Sequence, residues 1–440
     1  MPAQEILIIA FLFVLGACVG SFLNVVVFRL SPQITADGAE IGDAAIANAN
    51  VPDYSLRAVI RDIFLDLRAL VYPPSTCPNC NTRLAARDNI PVLGWILLSG
   101  KCRYCKTPIS ARYPIVEAAV GVTFAALYVL LFHFGMGPCA PGISEVNRFG
   151  QAVIVPGGLQ IARDWPLLAL YLVMTSGLIA ASLVDAKTFM IPLSIPWFIG
   201  LVGVVSHGFI SVSGAEFTRV DISGSLAPVP LVAIMTVAFL IGWIISLTLL
   251  QWGIIPRSFA AGEPSMNIES PTHTRGQITG EMLKEAVFLA LPMVLAAIAG
   301  VLWMRLPAVG DLASTLSSTP ILAGMIGATF GGIVGALLIW VTRILGSIVF
   351  GKEAMGLGDV HLMFAIGAVI GAYGSVITFF LAPAAGLLLA IYLFLTTKNR
   401  HLPYGPYLSA AAVVTVVLYC PIFRWMEPGV EGLRLMLVGR

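Results

Sequence analysis

The sequence predicts an all-α polytopic membrane protein with about nine or ten membrane segments and a small cytoplasmic zinc-ribbon domain. Apolar residues make up 58% of the 440 positions and charged residues 11%, and the mean hydropathy is +0.92, which is too apolar for a soluble globule. Apolar runs of bilayer-spanning length recur along the chain, and one polar loop contains two Cys-x-x-Cys pairs. The net charge of +2 disfavours nucleic acid as a partner and leaves membrane lipid as the expected surroundings.

Nine apolar runs are long enough to cross a bilayer. They lie at about residues 5–28, 114–134, 166–184, 190–210, 230–252, 285–304, 320–342, 374–396 and 406–423. A shorter apolar piece, 360–372, precedes the eighth run. It counts as a tenth pass, because only then do the later basic loops agree with a single orientation.

The polar loop after the first run fixes that orientation. It carries ten basic residues, namely Arg29, Arg57, Arg61, Arg68, Arg83, Arg87, Lys101, Arg103, Lys106 and Arg112. By the positive-inside rule this loop is cytoplasmic, and the N-terminus lies outside. Counting spans from there places Lys187, Lys352 and Lys398 on the cytoplasmic side as well.

The first run is interpreted as an uncleaved membrane span. The letters "LGAC", ending at Cys18, faintly resemble a lipoprotein cleavage box. However, no basic residue precedes the run and the basic residues follow it, which is typical of a span that starts outside. Residues 1–30 are therefore expected to form the first span.

Four cysteines of the basic loop have the spacing of a metal site. Cys77 and Cys80 lie in "CPNC", and Cys102 and Cys105 lie in "CRYC". Each turn directs two thiolates to one point, and two turns complete a tetrahedral four-sulfur site with no open position. The pattern predicts a structural zinc ion. The alternative is a pair of redox dithiols, although nothing nearby resembles a thioredoxin-type unit.

The stretch between the first span and the cysteines has the spacing of an amphipathic helix. Its apolar residues recur at helical intervals, as Leu56, Val59, Ile60, Ile63, Phe64, Leu67 and Leu70. Such a helix either lies on the inner membrane surface or packs on the ribbon, and the sequence leaves both open.

Two aspartates are predicted at the cytoplasmic ends of membrane segments. "LVDAKTFMIP" places Asp185 at the end of the third span, and "MGLGDVHLM" places Asp359 at the start of the short pass. If their helices touch, the carboxyl groups share a proton and supply a base for water and an acid for the scissile bond. Gly356 and Gly358 would let a substrate backbone or a second helix approach Asp359. The alternative is two unrelated helix caps.

These motifs together resemble the type IV prepilin peptidases, also called leader peptidase/N-methyltransferases, which are Gly-x-Gly-Asp intramembrane aspartic proteases. The resemblance runs, in the family's order, through "GSFLNVVVFRL" (20–30), "CPNC" (77–80), "DNIPVLGWILLSGKCRYCKTPISARYPIVE" (88–117), "LVDAKTFMIP" (183–192), "MGLGDVHLM" (355–363) and "LPYGPYL" (402–408). It implies that Asp185 and Asp359 are catalytic, supported by the two glycines, and that the four cysteines bind zinc.

The resemblance also implies a function and a location. Its members remove the short basic leader of type IV prepilins or pseudopilins at the cytoplasmic face of a bacterial inner membrane. They also methylate the new N-terminus from S-adenosylmethionine. This second activity rests on the resemblance alone, because the basic loop has no glycine-rich nucleotide fingerprint.

The predicted organisation has three parts. Residues 1–30 form the first span, 31–113 form the cytoplasmic loop with the ribbon and the methyltransferase region, and 114–440 form the peptidase domain. The chain departs from the family in having four spans instead of two between its aspartates, with the inserted pair and a polar loop around 211–319. The polar stretch 254–285 is interpreted as a flexible linker, with gating or partner binding as the alternative.

A function from another class is the main alternative to the peptidase. Membrane carboxylates also serve as ion relays, so the chain would then be a proton- or cation-coupled transporter, or a pilus or secretion assembly scaffold with the ribbon as a docking module. A transporter should have repeated halves, and the sequence shows no convincing internal repeat. The sequence does not predict an oligomeric state.

Overall fold

The computed structural model describes residues 3–30, 75–77, 79–137, 142–146, 152–156, 159–188, 190–211, 229–258, 275–396 and 404–438. The amphipathic helix expected within 31–74 lies outside the described residues. So do residues 259–274 of the polar stretch.

The described residues are almost entirely helical. In chain order the elements are α1 (Ala3–Leu30), a 3-10 turn (Ala86–Asn89), α2 (Leu93–Leu97), α3 (Arg112–Tyr128, continued by a π turn at Val129–His133), β1 (Gly142–Val146), β2 (Ala152–Pro156), α4 (Ile161–Thr188), α5 (Ser194–Ile210), α6 (Val229–Gln251), α7 (Arg275–Arg305), α8 (Pro307–Ser318), α9 (Pro320–Phe350), α10 (Leu357–Thr396) and α11 (Gly405–Val438). The antiparallel hairpin of β1 and β2 is a small addition that the all-α prediction did not include.

Among the residues that the structure describes, seven helices have the length and composition of membrane spans. They are α1, α3 with its π turn, α4, α6, α7, α9 and residues 357–387 of α10. Two shorter apolar helices, α5 and the segment Gly405–Tyr419, accompany them. The predicted polytopic helical fold is therefore confirmed.

Helix α10 is a hairpin of two passes rather than one long helix. Gly371 has φ 79° and ψ 178°, which interrupts the helix. A Cβ placed on Gly367 would lie 2.6 Å from the Ser375 hydroxyl, whereas eight residues of straight helix would separate them by about 12 Å. The chain therefore reverses at Gly371. The break separates 360–372 from the second half of α10, and its crossing of the membrane as a separate pass stays a prediction.

The pass that carries Asp359 packs very closely on α9. A Cβ on Gly331 would lie 2.3 Å from the Gly367 carbonyl oxygen, and one on Gly335 would lie 2.5 Å from that of Met363. Small residues allow such backbone contact, and in lipid this packing replaces the hydrophobic effect as the force that joins helices. The contact fixes the pass that begins next to Asp359.

Helices α1 and α3 meet in the same manner. A Cβ on Gly16 would lie 2.8 Å from the Cα atom of Gly121, and one on Gly20 would lie 2.7 Å from that of Glu117. The Asn24 amide also donates a hydrogen bond to the Tyr113 carbonyl at 3.2 Å, as expected of a polar residue within the first span. These contacts hold the first span against the helix that follows the cysteine pairs.

Candidate active site and cysteine cluster

Asp185 lies in the last turn of α4, where its side chain is buried. Its Oδ2 atom accepts a hydrogen bond from the backbone N–H of Gly405 at 3.0 Å. Gly405 begins α11, so the carboxylate faces a helix N-terminus, where unpaired N–H groups favour an anion. A Cβ on residue 405 would lie only 2.6 Å from the same oxygen. Glycine is therefore needed for this contact.

Asp359 is the third residue of α10 and is also buried. Its backbone N–H donates to the Gly356 carbonyl at 3.2 Å, which closes the turn before the helix. A Cβ on Gly358 would lie 3.2 Å from the Cβ atom of Ile191, so this glycine admits a neighbouring segment. A Cβ on Gly356 would meet only Asp359 and Gly358, at 3.6 and 3.9 Å, among the residues that the structure describes.

The structure brings the two aspartates into one buried site. Ile191, six residues after Asp185, packs at the position of Gly358 and also lies 3.3 Å from a Cβ placed on Gly405. Ile191 therefore packs between the residue before Asp359 and the residue that binds the Asp185 carboxylate. Gly358 thus lets the two segments approach, while Gly356 leaves space beside Asp359. The catalytic role of the pair stays a prediction.

Two neighbours of the aspartates were not singled out from the sequence. Gly405 and Tyr404 both lie in "LPYGPYL", which carried only a family resemblance. The Tyr404 hydroxyl is buried and has no hydrogen-bond partner within the described part of the chain. Burial, and next the charge of Asp359, raises the pKa of Tyr404 to about 12. Tyr404 therefore keeps its proton beside the aspartates at neutral pH.

The four predicted cysteines converge on one point. The Sγ atoms of Cys77, Cys80, Cys102 and Cys105 all lie within 4.8 Å of one another, and those of Cys77 and Cys105 are 3.8 Å apart. Tetrahedral zinc with bonds of about 2.3 Å requires a sulfur–sulfur separation of about 3.8 Å. The donor set and its spacing therefore fit a structural zinc ion.

The two cysteine turns have the same backbone design. In the first, the Cys77 N–H donates to the Thr82 carbonyl, and in the second, the Cys102 N–H donates to the Thr107 carbonyl. Hydrogen bonds with the Thr107 side chain and then its backbone lower the pKa of Cys105 to about 5. A low pKa favours the thiolate, which is the form that binds a metal.

The carboxylate of Glu117 joins the cysteine ribbon to helix α3. Glu117 of α3 is buried and accepts a hydrogen bond from the Val92 N–H at 2.6 Å. Val92 has a φ of 61°, which is strained for a β-branched residue. Through this contact Glu117 holds the segment between the cysteine pairs against α3.

Two protein-family models match separate parts of the chain. The bacterial peptidase A24 N-terminal domain matches residues 14–131, which include the four cysteines. The type IV leader peptidase family matches residues 287–391, which include Asp359. Asp185 lies between the two matched regions. No solved structure matches this chain.

Similar proteins are named prepilin leader peptidase/N-methyltransferase. One from Burkholderia pseudomallei (strain 1026b) is 37% identical over 186 residues, which cover 40% of this chain and 56% of that protein. One from Neisseria gonorrhoeae is 30% identical over 46% of this chain and 57% of that protein, so these matches span just over half the relatives' length. One from Aeromonas hydrophila is 23% identical over 94% of this chain and 91% of that protein.

Proposed function

We propose that this chain belongs to the type IV leader peptidase family and is a membrane-embedded aspartic endopeptidase that cleaves prepilins or pseudopilins. The observation that carries the proposal is that Asp185 and Asp359 are both buried at one site, where Ile191 packs beside Gly358 and Gly405. Two carboxyl groups so placed hold one proton between them more easily than two charges. That state is the one an aspartic protease needs.

The pair can perform hydrolysis with a balanced transfer of protons. The ionised carboxyl takes a proton from water while the water oxygen attacks the scissile carbonyl carbon. The protonated carboxyl gives its proton to the carbonyl oxygen, which forms a tetrahedral diol. The diol then returns a proton through the pair to the amide nitrogen, the C–N bond breaks, and the pair again holds one proton.

The substrate is a short basic leader followed by an apolar helix. Gly356 has no side chain to keep an extended backbone away from the Asp359 carboxyl, whose oxygen would lie 3.6 Å from a Cβ there, and the surrounding spans suit the apolar helix. The distribution of Lys and Arg residues favours a cytoplasmic position for the ribbon and for both aspartates. The membrane would be the bacterial inner membrane, as the family resemblance implies. In this orientation the basic leader stays in the cytoplasm while the helix lies among the spans.

Zinc has a structural role in the proposed enzyme. Cys77, Cys80, Cys102 and Cys105 would hold one ion, and the closed four-sulfur site would stabilise the fold of the loop. The hydrogen bond from Val92 to Glu117 would then carry that rigidity to α3.

N-methylation of the new N-terminus is proposed for region 31–113 from the family name. S-adenosylmethionine would be the methyl donor. Within residues 75–77 and 79–113, the part of this region that the structure describes, no glycine-rich turn connects a strand to a helix in the manner of a nucleotide site. Methyl transfer is therefore supported by the family name alone.

Incubation of the purified full chain with a purified prepilin tests the proposal. Mass spectrometry of the product should show the loss of the leader at one peptide bond. The reaction should persist when the metal chelator EDTA is present in the assay for minutes, because the aspartates, and not a metal, perform the hydrolysis. An intact prepilin after prolonged incubation with well-folded protein would favour the transporter or scaffold alternative.

A further inference from the structure

Helix α9 contains an arginine that is fully buried, with only 1% of its surface exposed. The Nε and Nη2 atoms of Arg343 donate to the carboxylate of Glu285 at 3.1 to 3.3 Å. Its Nη1 atom donates to the carboxylate of Glu353 and to the backbone carbonyl of Met355. One guanidinium thus joins a helix on one side to a loop on the other.

The helix side of this contact is itself held in place. Glu285 lies on α7 and is buried, and its Oε2 atom also accepts a hydrogen bond from the Trp340 indole at 2.7 Å. The rings of Trp243 and Phe288 pack on Trp340 with centroids 5.6 and 5.9 Å away. A buried charge pair needs such complete hydrogen bonding to offset the loss of water.

The loop side leads directly to the candidate active site. Met355 immediately precedes the Gly-Leu-Gly-Asp turn, and Gly356 accepts the hydrogen bond from the Asp359 N–H. The Ala354 N–H also donates to the Ser347 hydroxyl at 3.0 Å. The loop before Asp359 is therefore pinned to α9 at two successive residues.

We propose that Arg343 is a positioning residue for Asp359, and that Glu285 of α7 holds Arg343 in the geometry that this requires. The part of the proposal that concerns cleavage rests on the proposed function. Glu285 falls in the insertion predicted around 211–319, so under that prediction the insertion has a role in the active site. It supplies the counter-charge of the arginine that places the catalytic turn.

Lysine cannot replace arginine in this arrangement. The planar guanidinium binds Glu285 through one edge and Met355 through another, whereas an ammonium group is a compact point charge. Arg343→Lys therefore keeps the charge that Glu285 needs but loses the bridge to the loop. A matched control is Arg163→Lys, because Arg163 pairs with the buried Asp164 at 3.0 Å at the opposite end of α4 from Asp185.

A disulfide assay reports the position of the turn without using activity. A Cβ on Gly358 would lie 3.2 Å from the Cβ atom of Ile191, close to the 3.5–4.5 Å typical of a disulfide. Ile191→Cys and Gly358→Cys would be combined in the full chain, with Cys18, Cys139 and Cys420 replaced by Ala. Mild oxidation followed by mass spectrometry of digested protein would give the rate of bond formation. Adding Arg343→Lys should slow it several-fold, whereas adding Arg163→Lys should not.

Cleavage kinetics of the single variants complete the test. With a purified prepilin, Arg343→Lys should lower kcat about tenfold or more with a KM within about threefold of the original, because the turn is misplaced. The Glu285→Gln variant should lower kcat in the same direction. Disulfide formation that is unaffected by Arg343→Lys would overturn the proposal, whatever the chain cleaves, and so would an unchanged kcat. If the original chain cleaves nothing, the proposed function fails and the disulfide rates alone decide whether Arg343 positions the turn.

Discussion

Asp185 and Asp359 are held in different ways by their surroundings. Asp185 has a fixed hydrogen-bond donor, the Gly405 N–H at the start of α11. Asp359 lies behind a glycine turn that Arg343 pins through the Met355 carbonyl. One carboxyl is thus oriented directly, and the other is oriented through its backbone. Substitutions near each should therefore affect activity for different reasons.

Each aspartate should be essential for cleavage. Asp185→Asn and Asp359→Asn preserve size and much of the hydrogen bonding but prevent the shared-proton chemistry, so each should lower cleavage by at least about 10²-fold. Because the two act as a unit, the double variant should be no worse than either single one. The matched control is Asp311→Asn, on the exposed surface of α8. Normal cleavage by a folded Asp359→Asn protein would return both residues to the capping or ion-relay alternatives.

Gly405 is expected to be as important as the carboxylate that it contacts. In Gly405→Ala, the new methyl group would lie 2.6 Å from Asp185 Oδ2 and would push the carboxylate out of line, with a loss of kcat on the order of 10²-fold. Gly280→Ala is the control, because a Cβ there meets nothing within 4 Å in the described structure. Equal cleavage rates for the two variants, measured with the same prepilin, would contradict the contact.

At the scale of elements, the accuracy of sequence reasoning depends on whether a pattern is local. The Cys-x-x-Cys turns and the apolar runs are local: the four cysteines cluster as predicted, and the apolar runs are helical, although only seven of the described helices have the length of a span. The pass at 360–372 was predicted from orientation and stays a prediction, and its break from the rest of α10 depends on Gly371. The contacts of Gly405 with Asp185 and of Glu117 with Val92 join residues far apart in the chain. A single sequence contains no signal for such packing.

The ribbon should lose its metal and its fold together. Cys77→Ser or Cys102→Ser removes one thiolate of four, and binding energy at a structural zinc site is folding energy. The purified chain should contain one zinc ion, and both variants should show lower zinc content and lower protein level. Cys18→Ser, outside the cluster, should show neither change. A zinc-free variant with full activity would contradict the assignment, and cysteines that cycle as disulfides would support the redox alternative.

At the scale of the whole molecule, the chain contains two functional regions that share a frame of packed helices. The ribbon is attached to α3 by Glu117, and α3 packs on α1 through glycines. The candidate active site lies among α4, α10 and α11, and is braced by α7 and α9 through Arg343. The polar stretch 254–285 was interpreted as a flexible linker, and for residues 275–285 that interpretation was wrong, because they form the first turns of α7. Glu285 at its end is buried against Arg343, which a single sequence could not show, since a charge next to an apolar run also suits solvent.

This division predicts that cleavage and methyl transfer can be separated. Methylation is proposed for region 31–113, whereas Asp359 belongs to the peptidase site beyond it. Asp359→Asn should therefore abolish leader removal yet leave methyl transfer to a pre-cleaved pilin unchanged within about twofold, because the change replaces one side chain by another of equal size. Transfer of a labelled methyl group from S-adenosylmethionine to the purified, leaderless pilin measures this. The unchanged chain, assayed on the same substrate, is the control. If Asp359→Asn lost methyl transfer while retaining its zinc and its thermal stability, the two activities would have to share one site.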